Sequence, residues 1–270
     1  PHSPYRAPEP WGSMYDPEDI PIPVKSMEEL EGYPPELKRL AHTEFRRNPE
    51  VPIDEAIKKG VAIYMGMVSH IDDQLGRLLD GLEEMGIIDD TIILFTSDHG
   101  DMLGEHWFLA KLLYFYNGVL KVPGIMAGPG VPQGKCLDGL AETVDLMPTL
   151  LDLAGVEIPP SVQGKSWLPV LNGEDKVLHN ETYTEHQYFA YPENEPMNEH
   201  VFSIFDGRYR IVYFKGRTYG QLFDLEKDPD CLINQWDNPD YAEVKAKLEK
   251  QLMNRIMDNL TRYDARQDQW

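Results

Sequence analysis

A chain of 270 residues with 41% hydrophobic content is long enough to bury a full core, as one large α/β domain or as a domain with a smaller partner. Its 25 Lys and Arg against 46 Asp and Glu give a formal charge of -21, a surface that repels a phosphate backbone, so nucleic acid is excluded as a partner. No apolar run approaches the roughly 20 residues of a membrane span, Cys136 and Cys231 have neither metal-knuckle nor disulfide spacing, and the compartment stays open.

Residues 1–35, rich in Pro, Glu and Tyr, read as an irregular segment lying on a fold. From Asp54 to Met85, positions Tyr64, Val68, Ile71, Leu75, Leu78, Leu82 and Met85 recur at alternating steps of four and three, the apolar stripe of one long helix with Gly86 as its C-cap. "DDTIILFTS" follows as a buried strand and "VPGIMAGPG" as a second. "ETVDLMPTLLDLAG" is a helix that Pro148 kinks or restarts. This alternation predicts a mostly parallel sheet flanked by helices over residues 1–175. Past that point the pattern changes. "VFSIFDGRYRIVYF", with an Asp206-Gly207 hairpin, and "GQLFDLEKDPD" predict a small antiparallel sheet. A closing helix capped by Asp240, with Val244, Leu248, Leu252, Ile256 and Leu260 on one face, is expected to pack on it. Residues 176–270 thus read as a small α+β subdomain.

The chemistry concentrates in "TIILFTSDHGDMLGEH", residues 91–106. In open α/β sheets ligands sit beyond the carboxyl ends of strands, where Asp98 and His99 lie. A carboxylate oxygen and an imidazole nitrogen leaving a strand together can turn toward one cation; alternatively Asp98 caps a turn and His99 is a surface histidine. Asp101 and Glu105 are expected to organise the loop. His179, His186 and His200, with the aromatic run "YTEHQYFAYPENEP", read either as a substrate-recognition loop or as plain surface.

The run from "YMGMVSHIDDQLG" to "SDHGDMLGEH" resembles the sulfatase family of the alkaline phosphatase superfamily, in which a long helix leads into a strand ending S-D-H-G-D-x-x-G-E-H. "KLLYFYNGVLKVPGIMAGPG", "TVDLMPTLLDLAGVEIPPSVQGKS" and "GRYRIVYFKGRTYGQLFDLEKDPD" are similar to three further family segments in the same order. The resemblance implies an alkaline-phosphatase-like α/β fold, here in part. It implies that Asp98 and His99 bind a divalent cation, most often calcium, with manganese or zinc also compatible with an imidazole ligand. Lys111 matches the lysine that contacts the sulfate. His2 matches a histidine that donates a proton to the leaving alcohol, and His106 reads either as lining the pocket or as fixing the loop.

One family feature has no counterpart in these residues: neither cysteine stands in the C/S-x-P-x-R context from which sulfatases make their formylglycine nucleophile. The expectation is therefore a C-terminal portion of a metal-dependent sulfatase, acting on a sulfated small molecule or saccharide, inactive alone and partnered by an N-terminal half that carries the nucleophile. The rivals are a phosphonate or phosphate ester hydrolase of the same superfamily and a non-catalytic binding subunit.

Overall fold

The structure, a computed structural model, describes residues 1–33, 37–38, 51–111, 115–174, 176–190 and 197–261. It falls into two compact units, Pro1–Gly128 and Pro129–Trp270. The division lies well before residue 175, where the sequence pattern changes. The reason is a set of contacts that binds residues 140–180 to the later sheet. The Tyr183 N–H donates to Glu142 Oε1 at 2.5 Å, and Arg255, on the helix that packs on that sheet, donates to Glu142 Oε2 at 2.5 Å.

In the first unit, α1 (Met27–Gly32) starts at Ser26, whose hydroxyl accepts the Glu29 N–H at 3.0 Å. The long helix α2 (Ile53–Glu84) then appears where the apolar period places it, and Gly86 follows with φ of 67°. Its buried positions, however, are Ile57, Ala62 and Gly66. Much of the expected stripe faces outward, with Val68 46%, Leu78 58% and Met85 71% exposed, while Tyr64, Leu75 and Leu82 are half-buried. The cause is the N-terminal segment, which covers the other side of the helix. A Cβ at Gly66 would lie 2.0 Å from the Trp11 carbonyl oxygen, Trp11 stacks on His70, and the Tyr15 and Ser69 hydroxyls share a hydrogen bond of 2.8 Å.

Strand β1 (Ile93–Thr96) leads to the short helix α3 (Asn117–Leu120) and β2 (Gly124–Ala127). The two strands pair antiparallel, Ile93 with Ala127 and Thr96 with Gly124, which corrects the expected parallel pairing for this pair. A parallel neighbour needs a crossover along the whole sheet. Here residues 97–123 instead return to the strand end they left, closed by the Gly100 N–H donating to the Val119 carbonyl at 2.8 Å.

In the second unit a 3-10 turn at Thr143–Asp145 runs into α4 (Leu146–Leu153). Pro148 sits in its first turn, where a missing N–H is tolerated, so the proline restarts the helix without kinking it. After α5 (Leu168–Leu171), strands β3 (Thr182–Ala190), β4 (Met197–Phe205), β5 (Tyr209–Phe214) and β6 (Gly220–Asp224) form an antiparallel meander in sequence order. Helix α6 (Ala242–Thr261) lays Leu248 and Leu252 on Ile204, Ile211 and Leu222, with Trp236 closing the core. The 3-10 turn Pro239–Tyr241 that leads into it is capped by Asn238, which accepts the Asp240 N–H at 3.0 Å, so Asp240 lies inside that turn.

The segments that carry the family likeness here serve structure. Arg208 grips Asp224 through two parallel bonds of 2.9 and 2.8 Å, tying "GRY" to "LFD" across β5 and β6. The Asp206 carboxylate accepts the Tyr209 N–H at 2.8 Å around Gly207, whose φ is 93°. Gly207→Ala is therefore expected to destabilise this hairpin by about 1–2 kcal/mol, read as a lower urea midpoint. An unchanged midpoint would mean that the turn relaxes without strain.

Candidate active site

Strand β1 ends at Thr96; the hydroxyl of the next residue, Ser97, donates to the His99 carbonyl at 2.8 Å, while the His99 N–H donates to Asp98 Oδ1 at 3.0 Å. These two bonds turn both side chains out of the strand. The turn also needs Gly100, because a Cβ there would lie 1.9 Å from the Gly118 carbonyl oxygen. The Gly100 carbonyl in turn meets His99 Nδ1 at 2.6 Å.

Lys111 and His2 converge on the same place. Lys111 Nζ lies 2.8 Å from His99 Nε2 and 2.8 Å from His2 Nε2, and the two rings meet edge-on at 6.1 Å. His2 Nδ1 is 2.6 Å from the Ser3 carbonyl. The hydrogen-bond pattern thus assigns both imidazoles the same tautomer. Each Nδ1–H donates to a backbone carbonyl, and each Nε2 lone pair accepts from the Lys111 ammonium. An ammonium has three donors and no acceptor, so one further N–H stays available to an anionic group.

Asp98 stands beside this trio with its side chain 87% exposed, and its Oδ2 lies 3.8 Å from His99 Nε2. Partial burial pushes its carboxyl up. The His99 ring, nearby backbone N–H groups and the Lys111 ammonium outweigh that and hold it below the usual carboxylate range. An ionised oxygen and an imidazole nitrogen at this separation fit one divalent cation, whose bonds to such atoms run roughly 2.0–2.6 Å, with the cation taking the Nε2 lone pair that the Lys111 ammonium occupies here. The Nδ1–H bond to Gly100 is the kind of second contact that fixes a ligating histidine.

The loop between His99 and Lys111 is unusually constrained. Leu103, His106, Trp107 and Ala110 all have positive φ, at 49°, 54°, 67° and 59°. Each such non-glycine residue stores on the order of 1–3 kcal/mol. Asp101, expected to organise the loop, accepts the Leu103 N–H at 3.1 Å, the Ala110 N–H at 3.0 Å and the Tyr5 hydroxyl at 2.8 Å. Trp107 donates its indole N–H to the Ser26 carbonyl at 2.7 Å. His106 lies inside the packed loop rather than on an open wall. It is 4% exposed, its Nδ1 is 2.5 Å from Glu29 Oε1, and its ring stacks on Tyr116 at 3.8 Å.

A second group of potential ligands, Glu142, Asp145 and His179, lies in the other unit with its atoms within 4.8 Å of one another. Its chemistry suits a cation less well. Asp145 already accepts the Lys165 N–H, the Glu142 N–H and His179 Nε2, and Glu142 Oε2 already holds the Arg255 guanidinium at 2.5 Å. This buried group was not foreseen, and His179, read as a candidate for a recognition loop, belongs to it. His186 and His200 sit on neighbouring strands β3 and β4, opposite Val201 and Gln187.

An α/β chain presenting a carboxylate–imidazole pair at a strand end, with an ammonium on the same imidazole, has the construction of an alkaline-phosphatase-superfamily hydrolase. The chain belongs to the sulfatase family. The sulfatase family profile matches residues 1–156, and the profile for the C-terminal part of N-sulphoglucosamine sulphohydrolase matches residues 104–258. It is 34% identical to an arylsulfatase of Clostridium perfringens over 95% of this chain and 51% of that protein. It is 32% identical to the multifunctional alkaline phosphatase superfamily protein PehA of Trinickia caryophylli, over 90% of this chain and 51% of that one. Among solved structures, the phosphonate monoester hydrolase of Silicibacter pomeroyi superimposes with a TM-score of 0.86 at 30% identity, covering 96% of this chain and 54% of that one. The chain thus spans about half the length of the relatives it matches.

Proposed function

We propose that these residues form the cation- and lysine-bearing part of a sulfuric ester hydrolase whose formylglycine nucleophile lies outside them. The observation that carries the reading is Lys111 Nζ held at 2.8 Å from both His2 and His99 beside Asp98. Asp98 and His99 would hold the divalent cation, calcium first among the candidates, which supplies Lewis-acid polarisation and orients the attacking group. Lys111 places a fixed positive charge where the sulfate ester gains negative charge as its S–O bond to the alcohol breaks. His2 would supply the proton that the departing alcohol oxygen takes once its Nε2, which here accepts from the Lys111 ammonium, is protonated and released from that bond. The substrate class is a sulfated small molecule or saccharide. The outward apolar stripe of α2, together with Ile125 at 63% exposure on β2, supports a further part of the enzyme covering this unit.

A second reading, hydrolysis of phosphonate monoesters, is favoured by the similarity to the Silicibacter pomeroyi enzyme. The test compares para-nitrophenyl sulfate, para-nitrophenyl phosphate and a phenylphosphonate monoester, using the enzyme that includes its nucleophile-bearing part and, separately, residues 1–270. Sulfate is expected to turn over fastest in the former and not at all in the latter. Faster phosphonate turnover would establish the second reading, and no turnover of any ester would make the protein a binding subunit. Sulfate hydrolysis by residues 1–270 alone, abolished by Asp98→Ala, would place the nucleophile inside them.

A further inference from the structure

We propose that Asp101 is the positioning residue that sets the Lys111–His2–His99 geometry, by pinning with one carboxylate the three chain segments that carry those side chains. This rests on the reading of Lys111 as the cation that meets the ester, but the placement itself can be measured without turnover.

Asp101 lies two residues after His99. Its Oδ1 accepts the N–H of Ala110, the residue immediately before Lys111, at 3.0 Å, and that of Leu103 at 3.1 Å. Both of its oxygens lie 2.8 Å from the hydroxyl of Tyr5, three residues after His2. Tyr5 is itself seated on α2, edge-on to Tyr64 at 5.8 Å. An ionised carboxylate accepts several hydrogen bonds, and those bonds are strengthened by its charge. Here it does so for two backbone groups held at positive φ, so it fixes the backbone direction from which the Lys111 side chain departs. Without that anchor Ala110 and Leu103 would be free to leave the left-handed region, and the Lys111 ammonium would lose its registration on two Nε2 atoms at once. Through Tyr5 the same carboxylate holds the N-terminal segment that brings His2 to the ammonium. No contact of Asp101 reaches the reacting atoms; it acts through its neighbours.

The test uses the full-length protein with isotope-labelled histidine, in the wild type, Asp101→Asn and Tyr5→Phe. Imidazole nitrogen NMR reads the tautomer and hydrogen bonding of His2 and His99, and steady-state kinetics are run in parallel. Asp101→Asn is expected to shift both Nε2 resonances and to lower kcat by about 10- to 100-fold with KM changed by less than about twofold, the signature of misplacement without lost binding. Tyr5→Phe should shift the His2 signal and leave His99 in place. Unshifted imidazole signals in a folded Asp101→Asn protein would overturn the proposal whatever the kinetics do. Should that variant not fold, an unshifted His2 signal in Tyr5→Phe would overturn it equally. Shifted signals with undiminished sulfate turnover would leave Asp101 as the anchor and remove Lys111 from the reaction, so the two readings fail separately.

Discussion

Replacing Lys111 with methionine in the complete enzyme is expected to lower kcat for a sulfate ester by about 100- to 1000-fold, the range seen when one preorganised stabilising group is removed. Methionine keeps much of the length and apolar stem of lysine, so the change removes charge more than packing. Lys111 bridges His2 and His99 at 2.8 Å each, so its loss also leaves the two Nε2 lone pairs without the ammonium between them. A second effect follows from Asp98, because the Lys111 ammonium is one of the influences that hold its carboxyl low. Without it the folded pKa rises toward the ordinary value near 3.9. A carboxylate must be ionised to ligate, so the acid limb of cation binding should move to higher pH in the variant. Parallel measurement of kcat and of metal affinity against pH checks both parts, with circular dichroism to establish that the fold is retained. A kcat within about threefold of wild type would remove Lys111 from the chemistry.

What could be read in the sequence, and what could not, follows from the range of the forces involved. Helix α2 was legible because a 3.6-residue period is local, yet the side it buries was not. That choice depends on Trp11 meeting Gly66 across some 55 residues of chain, a contact in which a glycine carries no hydrophobic signal. Strand β1 was legible as an apolar run, but its partner's direction is set by the path of residues 97–123, which no periodicity encodes. Asp98 and His99 could be found by adjacency at a strand end. Lys111 and His2 entered through family resemblance alone, and the structure then brings both to His99, although nothing local distinguishes either from a solvated side chain. His106 and Glu29 pair over a separation of 77 residues, and a buried polar pair of that kind leaves no trace in composition. For the same reason Asp145 read only as part of a helix start and His179 only as part of a loop.

That last pair carries the largest expected effect on stability. Asp145 is fully buried, and its two oxygens accept the Lys165 N–H at 2.9 Å, the Glu142 N–H at 2.8 Å and His179 Nε2 at 3.0 and 2.9 Å. Its backbone carbonyl accepts the Thr149 hydroxyl at 2.6 Å, and that hydroxyl oxygen accepts the Trp167 N–H at 2.9 Å, so the residue joins the start of α4 to the entry of α5 and to the strand-like segment at His179. Burial pushes the Asp145 carboxyl up, but the His179 bond and the two backbone N–H donors outweigh it and hold the group below its ordinary value. The folded pKa is therefore the lower one. The carboxylate contributes stability that is fully present above its unfolded pKa, near 3.9, and is lost as pH falls through the folded value. Asp145→Asn keeps the shape but offers one acceptor oxygen in place of two and turns an amide N–H toward a backbone N–H. We expect a loss of about 3–5 kcal/mol at neutral pH, the usual result of breaking a buried pair from one side. The pH dependence separates this from generic core damage. Below the unfolded value near 3.9, where the unfolded chain takes up a proton that the folded carboxylate still resists, the gap between the two urea midpoints should shrink. A gap that stays constant from neutral pH down through that range would show that the charge of Asp145 contributes nothing and that only its shape matters.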